Sequence, residues 1–251
     1  MGETVIQVSS LGKRIKGKTI LEDISFEINR GDCVALIGPN GAGKTVLMSC
    51  ILGDKKPSSG QVLIDGKAGK AKNQIAVLLQ ENTIPNSLKV SELIAFFQAI
   101  SDNPLTNQEV QDLLQFKEDQ YQQFADKLSG GQRRLLAFVL CLIDKPKILF
   151  LDEPTAGMDT STRQRFWEIV NDLKKAGTTI LYSSHYIEEV EHTADRILVL
   201  HQGKLIRDTT PYAMRHEEKE KQVTLPSSFV SIVHRLPDIY EITEKRDVIS
   251  F

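Results

Sequence analysis

The spacing of apolar residues divides the chain into an early part rich in short β-type runs, a helical middle part and a late alternating part. The early runs are five or six residues long and rich in β-branched side chains, which is typical of strands. They predict strands at Thr4–Ser9, Ile24–Ile28, Asp32–Ile37, Gln61–Asp65 and Gln74–Leu79. Between the third and fourth runs, Val46–Leu52 predicts one short helix that ends at Gly53.

The middle part, from about Glu81 to Leu128, predicts a helical insertion. Val90–Ile100 shows helical spacing of its apolar residues. Thr106 is followed three residues later by Glu109, a capping-box pattern that predicts the start of a second helix. This part therefore differs in type from the segments on either side of it.

Strands and helices alternate in the late part. The predicted strands are Lys147–Leu151, Thr178–Tyr182 and Arg196–Leu200, and the predicted helices are Thr160–Lys175 and Tyr186–His192. Gly177 is expected to end the first of these helices, and residues 201–204 predict a hairpin turn. Such alternation is typical of a parallel sheet flanked by helices, so we expect an α/β fold.

Composition and charge agree with a globular protein. The 251 residues are 41% hydrophobic and 25% charged, which suffices for a core. A net charge of −2 gives no reason to expect nucleic-acid binding. The three cysteines, Cys33, Cys50 and Cys141, lie in apolar runs and are odd in number, which favours buried free thiols in a reducing compartment. We find neither a secretory signal nor an apolar run near the roughly twenty residues that span a bilayer, and expect a soluble chain.

The domain boundaries follow from these patterns. We expect one main domain over residues 1–215, with a helical subdomain at about 81–145 and a small C-terminal extension over 216–251. Glu217–Lys221 is a run of charges typical of a solvated face or a linker. Val223–Phe251 is expected to form a small α+β appendage.

A phosphate-binding loop is the most specific motif of the chain. Residues 38–45 fit the pattern G-x-x-x-x-G-K-[ST] between a predicted strand and a predicted helix. The binding stretch is Gly38, Pro39, Asn40, Gly41, Ala42, Gly43, Lys44, Thr45 and Val46. Backbone N–H groups and the helix N-terminus would surround phosphate oxygens. Lys44 would reach the β- and γ-phosphates, and Thr45 would ligate Mg²⁺. The alternative is a glycine-rich turn without a ligand.

Two acids follow a predicted buried strand, in the order Ile148–Leu151, Asp152, Glu153. Both carboxylates would lie at the carboxyl edge of the sheet, where α/β folds bind ligands. We expect Asp152 to hold Mg²⁺ through water, and Glu153 to orient and deprotonate an attacking water. The alternative is a buried strand that merely ends in acids.

A second short motif, Leu128-Ser129-Gly130-Gly131-Gln132, precedes a predicted helix. Its adjacent glycines are expected to form a backbone nest for an anion. The alternative is a flexible entry loop to the helix.

Together these motifs resemble the nucleotide-binding subunit of ATP-binding cassette (ABC) transporters, over residues from about Thr4 to Thr210. In that family residues 38–45 correspond to Walker A, 148–153 to Walker B and 128–132 to the signature motif. Three further positions match: Gln80 corresponds to the Q-loop glutamine, Asp159 to the D-loop and His185 to the switch histidine. The resemblance implies that Gln80 approaches Mg²⁺ and the water, and that His185 contacts the γ-phosphate.

The resemblance also implies the fold, the partners and the place of work. The fold would be a P-loop NTPase of ABC type, with a mixed core sheet flanked by helices, an antiparallel β subdomain and a helical subdomain. Two identical or related subunits would bind head to tail, with each ATP between Walker A of one and Ser129, Gly130 and Gly131 of the other. A separate transmembrane permease would dock on residues 81–127. The chain would lie peripherally on the cytoplasmic face of the cell membrane, without nucleic acid.

One position departs from the family pattern, and the subfamily leaves alternatives. Ile15 stands where most members carry an aromatic residue that stacks on adenine, so stacking is not expected at this position. The alternative is that another residue, such as Tyr240 or Phe251, reaches the base. The helix after the signature, Arg133–Leu142, resembles the drug- and antibiotic-exporter branch. An importer ATPase shares the same catalytic residues. A soluble ABC protein that acts on ribosomes or DNA is the third alternative.

Overall fold

A computed structural model describes residues 2–67, 75–80, 84–85, 87–217, 224–230, 243–245 and 248–250. The chain forms two compact units, residues 1–211 and 212–251. The helices are α1 Lys44–Ile51, α2 Val90–Ala99, α3 Asn107–Leu114, α4 Glu118–Tyr121, α5 Gly130–Leu142, α6 Thr160–Lys175, α7 Ile187–Thr193 and α8 Pro211–Glu217. The strands are β1 Thr4–Ile15, β2 Lys18–Asn29, β3 Cys33–Ile37, β4 Ser59–Ile64, β5 Ile75–Leu78, β6 Ile148–Leu151, β7 Thr179–Ser184, β8 Arg196–His201, β9 Lys204–Thr209, β10 Thr224–Pro226, β11 Thr243–Lys245 and β12 Val248–Ser250.

A six-stranded sheet forms the centre of the larger unit, in the order β5-β6-β7-β3-β8-β9. Its first five strands are parallel, and β9 returns antiparallel through the hairpin at residues 202–203. The predicted alternation is therefore confirmed, and the sheet is mixed. Because the parallel strands end at the same edge, the loops after β3, β5, β6 and β7 meet there.

A second, antiparallel sheet has the order β2-β1-β4. Strands β1 and β2 are each twelve residues long, well beyond the predicted Thr4–Ser9 and Ile24–Ile28. Register shifts explain the difference: one lies between Val8 and Leu11, and Ser10 has a φ of 44°. Such irregularities break the alternation of apolar and polar residues on which the sequence prediction depends.

Helices cover the central sheet and supply the rest of its core. Helix α5 buries Leu136, Phe138 and Val139 completely, and the Phe138 ring lies 4.3 Å from that of Phe166 on α6. Helix α6 has the predicted bounds and is followed by Gly177 with a φ of 89°. The predicted helical insertion is observed as α2, α3 and α4, which lead into α5; residues 81–83 and 86 lie outside the described part of the chain.

In the smaller unit, helix α8 and a three-stranded antiparallel sheet of order β10-β12-β11 are described. Thr224 and Thr243 both pair with Ser250, so β12 is the central strand. The predicted charge run lies outside the described residues beyond Glu217.

Three free thiols are present, as predicted, but they are not equally buried. Cys33 and Cys50 are buried, whereas Cys141 is partly exposed, which corrects the expectation for that residue. Burial raises the pKa of Cys33 to about 12 and that of Cys141 to about 11. These thiols are thus poor nucleophiles at neutral pH.

Candidate nucleotide site

The loop between β3 and α1 has a backbone that requires glycine at two of its positions. A Cβ on Gly38 would lie 2.1 Å from the carbonyl oxygen of Leu200. Gly43 precedes α1 with a φ of 109°, and a Cβ there would lie 2.8 Å from Leu21. Among the described residues, no atom lies within 4 Å of the corresponding position at Gly41. The glycine pattern therefore reflects close packing at Gly38 and Gly43 and open space at Gly41.

The lysine of this loop lies inside it. Lys44 is only 6% exposed, and its Nζ donates to the carbonyl oxygens of Gly38 (2.7 Å) and Pro39 (3.4 Å). Lys44 is also the first residue of α1. Its ammonium group therefore lies in the loop that leads into the free N–H groups of the helix N-terminus. A fixed cation beside these donors is suited to a polyphosphate.

Hydrogen bonds join this loop to the ends of β6 and β7. Thr45 Oγ1 donates to Asp152 Oδ2 at 3.0 Å, and Ser183 Oγ donates to Asp152 Oδ1 at 2.5 Å. The same Ser183 oxygen accepts the backbone N–H of Glu153 at 2.9 Å. Asp152 is 3% exposed, so its carboxylate depends on these partners for its orientation.

The second acid, Glu153, lies between two of the other predicted residues. Its Oε2 accepts a hydrogen bond from Gln80 Nε2 at 3.3 Å and lies 3.6 Å from His185 Nδ1. The Glu153 side chain is 14% exposed, whereas that of His185 is 41% exposed. Five predicted residues thus meet at one edge of the sheet: Thr45, Gln80, Asp152, Glu153 and His185.

The donor atoms at this edge fit Mg²⁺ better than a metal held by protein alone. Among the described residues, no group of three or more His, Cys, Asp and Glu side chains could hold a metal ion. Magnesium usually keeps several waters and binds one or two carboxylates together with substrate phosphates. The Thr45 hydroxyl and the Asp152 carboxylate, in contact beside the phosphate loop, are ligands of that kind.

The signature residues form a separate group at the start of α5. Ser129 is the N-cap of that helix and accepts the backbone N–H of Gln132 at 3.2 Å, and Gln132 Oε1 accepts the N–H of Ser129 at 3.2 Å. Gly130 and Gly131 are the first two residues of the helix and have no left-handed φ. The capping box holds both glycines in helical geometry, so they lie inside the helix and not in a loop before it, whereas their contact with an anion stays a prediction.

The D-loop residue Asp159 lies beside this group. It is the N-cap of α6 and accepts hydrogen bonds from Ser161 and Thr162. These bonds, that from the Ser161 hydroxyl first, lower the pKa of Asp159 well below its usual range. A Cβ on Gly131 would lie 3.1 Å from its Oδ2. Within the described part of the chain, no hydrogen bond joins Ser129 or Asp159 to the phosphate loop.

Several residues that support the site were not predicted. Ser183 is one, and another group lies behind His185. The rings of His185 and Tyr186 are 4.0 Å apart, and the Arg163 guanidinium lies 5.3 Å from the Tyr186 ring centre. Arg163 in turn lies 3.4 Å from Glu189, whose carboxylate accepts a bond from Thr155 at 3.0 Å. Contacts of this kind leave no local pattern in a sequence.

Three residues were considered from the sequence for contact with adenine, and none of them is an aromatic side chain that the structure describes. Ile15, at the end of β1, is 37% exposed and is able to offer apolar contact only. Tyr240 and Phe251 lie outside the described residues.

Comparison with known proteins decides the family. The pattern of the family described as ABC transporter matches residues 21–156, which include the phosphate loop, the signature residues and the acid pair. The chain belongs to the ABC transporter family. Its structural resemblance agrees, since an ATP-binding subunit of an ABC transporter superposes with a TM-score of 0.74 at 26% identity, over 85% of this chain and 93% of that one. The predicted P-loop fold of ABC type is confirmed.

Curated ABC relatives are named as ATP-binding proteins of Nod factor export or of multidrug transport. A Nod factor export ATP-binding protein of Ralstonia nicotianae is 34% identical over 84% of this chain and 68% of its own length. A probable multidrug ABC transporter ATP-binding protein, YbhF of Escherichia coli, is 31% identical over 93% of this chain. The ABC chain described here spans only 42% of the length of YbhF. No helix among the described residues is long and apolar enough to cross a bilayer.

Proposed function

We propose that this chain binds and hydrolyses ATP as the energy-supplying subunit of a multi-subunit ABC exporter. The observation that carries the proposal is the convergence of Gln80 and His185 on the Glu153 carboxylate, beside the loop that holds Lys44. A carboxylate that is largely enclosed and flanked by polar side chains is suited to act on a water, whereas a site for binding alone does not need it.

The residues divide the work between holding the triphosphate and attacking it. Lys44 and the N–H groups of the loop bind the β- and γ-phosphates. Thr45 and Asp152 would hold Mg²⁺, which would supply positive charge that neutralises the phosphates. Glu153 takes a proton from water as the water oxygen attacks the γ-phosphorus, and the bond from that phosphorus to the β–γ bridging oxygen breaks. The electron pair leaves with ADP.

Gln80 and His185 act on the position of the water and of the γ-phosphate. Gln80 already donates to Glu153, so its amide is placed to orient a water bound to that carboxylate. His185 lies within 3.6 Å of the same oxygen and is exposed enough to contact a phosphate from solvent. Both residues stand at the ends of parallel strands, β5 and β7, on either side of β6.

A second subunit completes each site in this proposal. Ser129 is the N-cap of α5, and Gly130 is the first residue of that helix. Both are exposed, and among the described residues neither has a hydrogen bond to the phosphate loop of its own chain. We infer that they contact the ATP bound by a partner subunit in a head-to-tail dimer. ATP then favours the closed dimer and ADP the open one, and this difference in affinity moves a separate membrane permease on the cytoplasmic face of the membrane.

Export is favoured over import by the names of the relatives. Both curated relatives described above are named for multidrug transport or Nod factor export. The cargo would be recognised by the permease.

Replacement of Glu153 tests the proposal. Glu153→Gln keeps the shape of the side chain but removes its basicity, so hydrolysis should fall at least a hundredfold while ATP still binds. An ATPase assay and light scattering with MgATP should show an inactive chain that accumulates as a dimer. Glu168→Gln, an exposed carboxylate that pairs with Arg165 on α6, is the control and should turn over normally. A wild type without ATPase activity, or Glu153→Gln with turnover within twofold of wild type, would contradict the proposal.

A further inference from the structure

One arginine gathers the backbone carbonyl groups around the catalytic edge. Arg134 lies in the second turn of α5, five residues after Ser129. Its three guanidinium nitrogens contact five carbonyl oxygens at the ends of β5 and β6. These are Leu79 (2.5 Å) and Gln80 (3.0 Å) from Nη1, Asp152 (3.0 Å) and Glu153 (3.4 Å) from Nη2, and Pro154 (3.0 Å) from Nε.

The chemistry of these contacts is specific to arginine. Burial lowers the pKa of Arg134, although a guanidinium stays charged in any protein, so the carbonyl dipoles replace the water that it has lost. A guanidinium presents five N–H donors in a fixed plane, which allows one side chain to bind several oxygens on two strands. A lysine at this position has the same charge but a single donor atom.

Three of the five carbonyls that Arg134 binds lie at or next to a residue with a strained backbone, Glu153. Glu153 has a φ of 43°, in the left-handed region that residues with a side chain rarely adopt. Such a conformation is unfavourable and persists only when its surroundings fix it. Arg134 binds the carbonyl oxygens of Glu153 and of the residues directly before and after it. The Ser183 hydroxyl accepts the backbone N–H of Glu153. These contacts hold the backbone that aims the Glu153 carboxylate.

The same guanidinium also fixes the partner of that carboxylate. Its bonds to the carbonyls of Leu79 and Gln80 anchor the chain where it leaves β5. The Gln80 side chain reaches Glu153 from this anchored backbone. The relative position of Gln80 and Glu153 is thus set by one side chain bound to both segments.

We infer that Arg134 is a positioning residue that fixes Gln80 and Glu153 relative to each other and ties both to helix α5. This inference rests on the proposed function of Glu153 as the group that acts on water. Because α5 also begins with Ser129, a movement of the signature residues is passed through one helix to the carboxylate of the same chain. Contact between the signature residues and the partner's ATP would then change the position of the Glu153 carboxylate in the same subunit.

The chain offers a matched control for this arginine. Arg165 on α6 donates in the same way to the carbonyl oxygens of Leu113 (3.1 Å) and Asp112 (2.5 Å), at the end of α3. It has no bond to the nucleotide edge. Variants of Arg165 therefore measure what the loss of such carbonyl contacts does to folding alone.

The experiment compares lysine and alanine variants of both arginines in the full chain. Arg134→Lys and Arg134→Ala should lower kcat about tenfold to a hundredfold, because small displacements of a catalytic group have effects of that size. The KM for ATP and the Kd for MgATP should stay within twofold of wild type. Both Arg165 variants should keep kcat within twofold. Free guanidinium at millimolar concentration should restore part of the kcat of Arg134→Ala. NaCl at the same ionic strength should not restore it.

Either of two results overturns the inference. One is an Arg134→Lys variant whose kcat stays within twofold of wild type. The other is a parallel loss of kcat, MgATP affinity and Tm without guanidinium rescue, which would make Arg134 a residue of general stability. If Arg134→Ala is unfolded at the assay temperature, Arg134→Lys decides alone, since it keeps the stem and the charge. Wild-type turnover is measured beside the variants, so an inactive wild type refutes the proposed function instead.

Discussion

The nucleotide edge and the start of the signature helix use the same polar residue types in opposite ways. At the edge, the bond from Thr45 to Asp152 joins residues 107 positions apart in the chain, and the bond from Ser183 to Asp152 joins residues 31 apart. At the helix start, Ser129 binds Gln132 only three residues away. Asp159 likewise binds Thr162, three residues on.

This difference separates a site made by the whole fold from a surface made by local helix caps. The edge forms only when β3, β6 and β7 lie side by side, so its carboxylates are oriented before any ligand arrives. The helix start is complete within a few residues and stays exposed. In our account, the edge supplies the chemistry and the helix start supplies a contact surface for a second chain.

Removal of the Lys44 side chain from the phosphate loop should have the largest effect on the affinity for MgATP. Lys44→Ala loses a charge-assisted contact worth about 1.5–3 kcal/mol, which corresponds to roughly a tenfold to hundredfold weaker affinity for MgATP. Isothermal titration calorimetry measures the affinity, and a thermal melt shows that the chain is folded.

The control for this change is Lys174→Ala. Lys174 also donates to a carbonyl, that of Thr193, and pairs with Asp195, which binds the N–H of Cys33 at the opposite edge of the sheet. Its replacement should leave the affinity unchanged. Equal affinities for Lys44→Ala and wild type would contradict the assignment of the phosphate loop.

Loss of the Ser183 hydroxyl tests whether the long-range bonds at the nucleotide edge set the catalytic geometry. Its effects on stability and on kcat should be smaller than the effect of Lys44→Ala on affinity. Ser183→Ala leaves the Glu153 N–H and one Asp152 oxygen without their partner, which should lower the free energy of unfolding by about 1–3 kcal/mol. It should also lower kcat about tenfold, because the Glu153 backbone loses a support. Urea unfolding and steady-state kinetics measure the two effects.

The same strand provides the control for Ser183. Thr179 is fully buried at the other end of β7, and its hydroxyl accepts the N–H of Gly31. Thr179→Val should lower stability by a similar amount and leave kcat unchanged. A normal kcat in Ser183→Ala would show that long-range bonds at the edge do not set the catalytic geometry.

The smallest effect is expected at the adenine position. Aromatic stacking on a base contributes about 1–3 kcal/mol, and Ile15 has no ring to offer. Wild type should therefore bind GTP within about tenfold of ATP, a difference of about 1.4 kcal/mol, and Ile15→Tyr should tighten ATP binding a few-fold. Competition titrations test both, with Ile100→Tyr, at the exposed C-cap position of α2, as the control. Strong ATP preference in wild type, with no gain from tyrosine, would mean that adenine is held elsewhere.

The sequence predicted those features whose signal is local. The bounds of α6, the capping box at Thr106 and the carboxyl-edge position of Asp152 and Glu153 all follow from short patterns, and the structure confirms them. Gly130 and Gly131 were expected before the helix but are its first two residues, although Ser129 and Gln132 already form the S-x-x-Q pattern of a capping box. That signal was present and points to a helix start.

Features that depend on contacts between distant segments could not be predicted. Ser183 and Arg134 gain their importance from bonds to Asp152 and Glu153, which directly follow β6 and lie 18 or more positions away in sequence. A serine at the end of a strand and an arginine on a helix are ordinary in any globular chain. Likewise, the strained φ of Glu153 depends on the packing around it and not on its neighbours in sequence.

The central claim, that two chains build each site together, is tested most directly by mixing two inactive variants. Ser129→Arg and Lys44→Ala homodimers each have both sites disabled, whereas a mixed dimer has one site disabled twice and the other intact. ATPase activity should be near zero for each variant alone and should recover towards half the wild-type rate per mixed dimer. Full activity of the Ser129→Arg chain alone would contradict the account, as would a mixture no more active than its components.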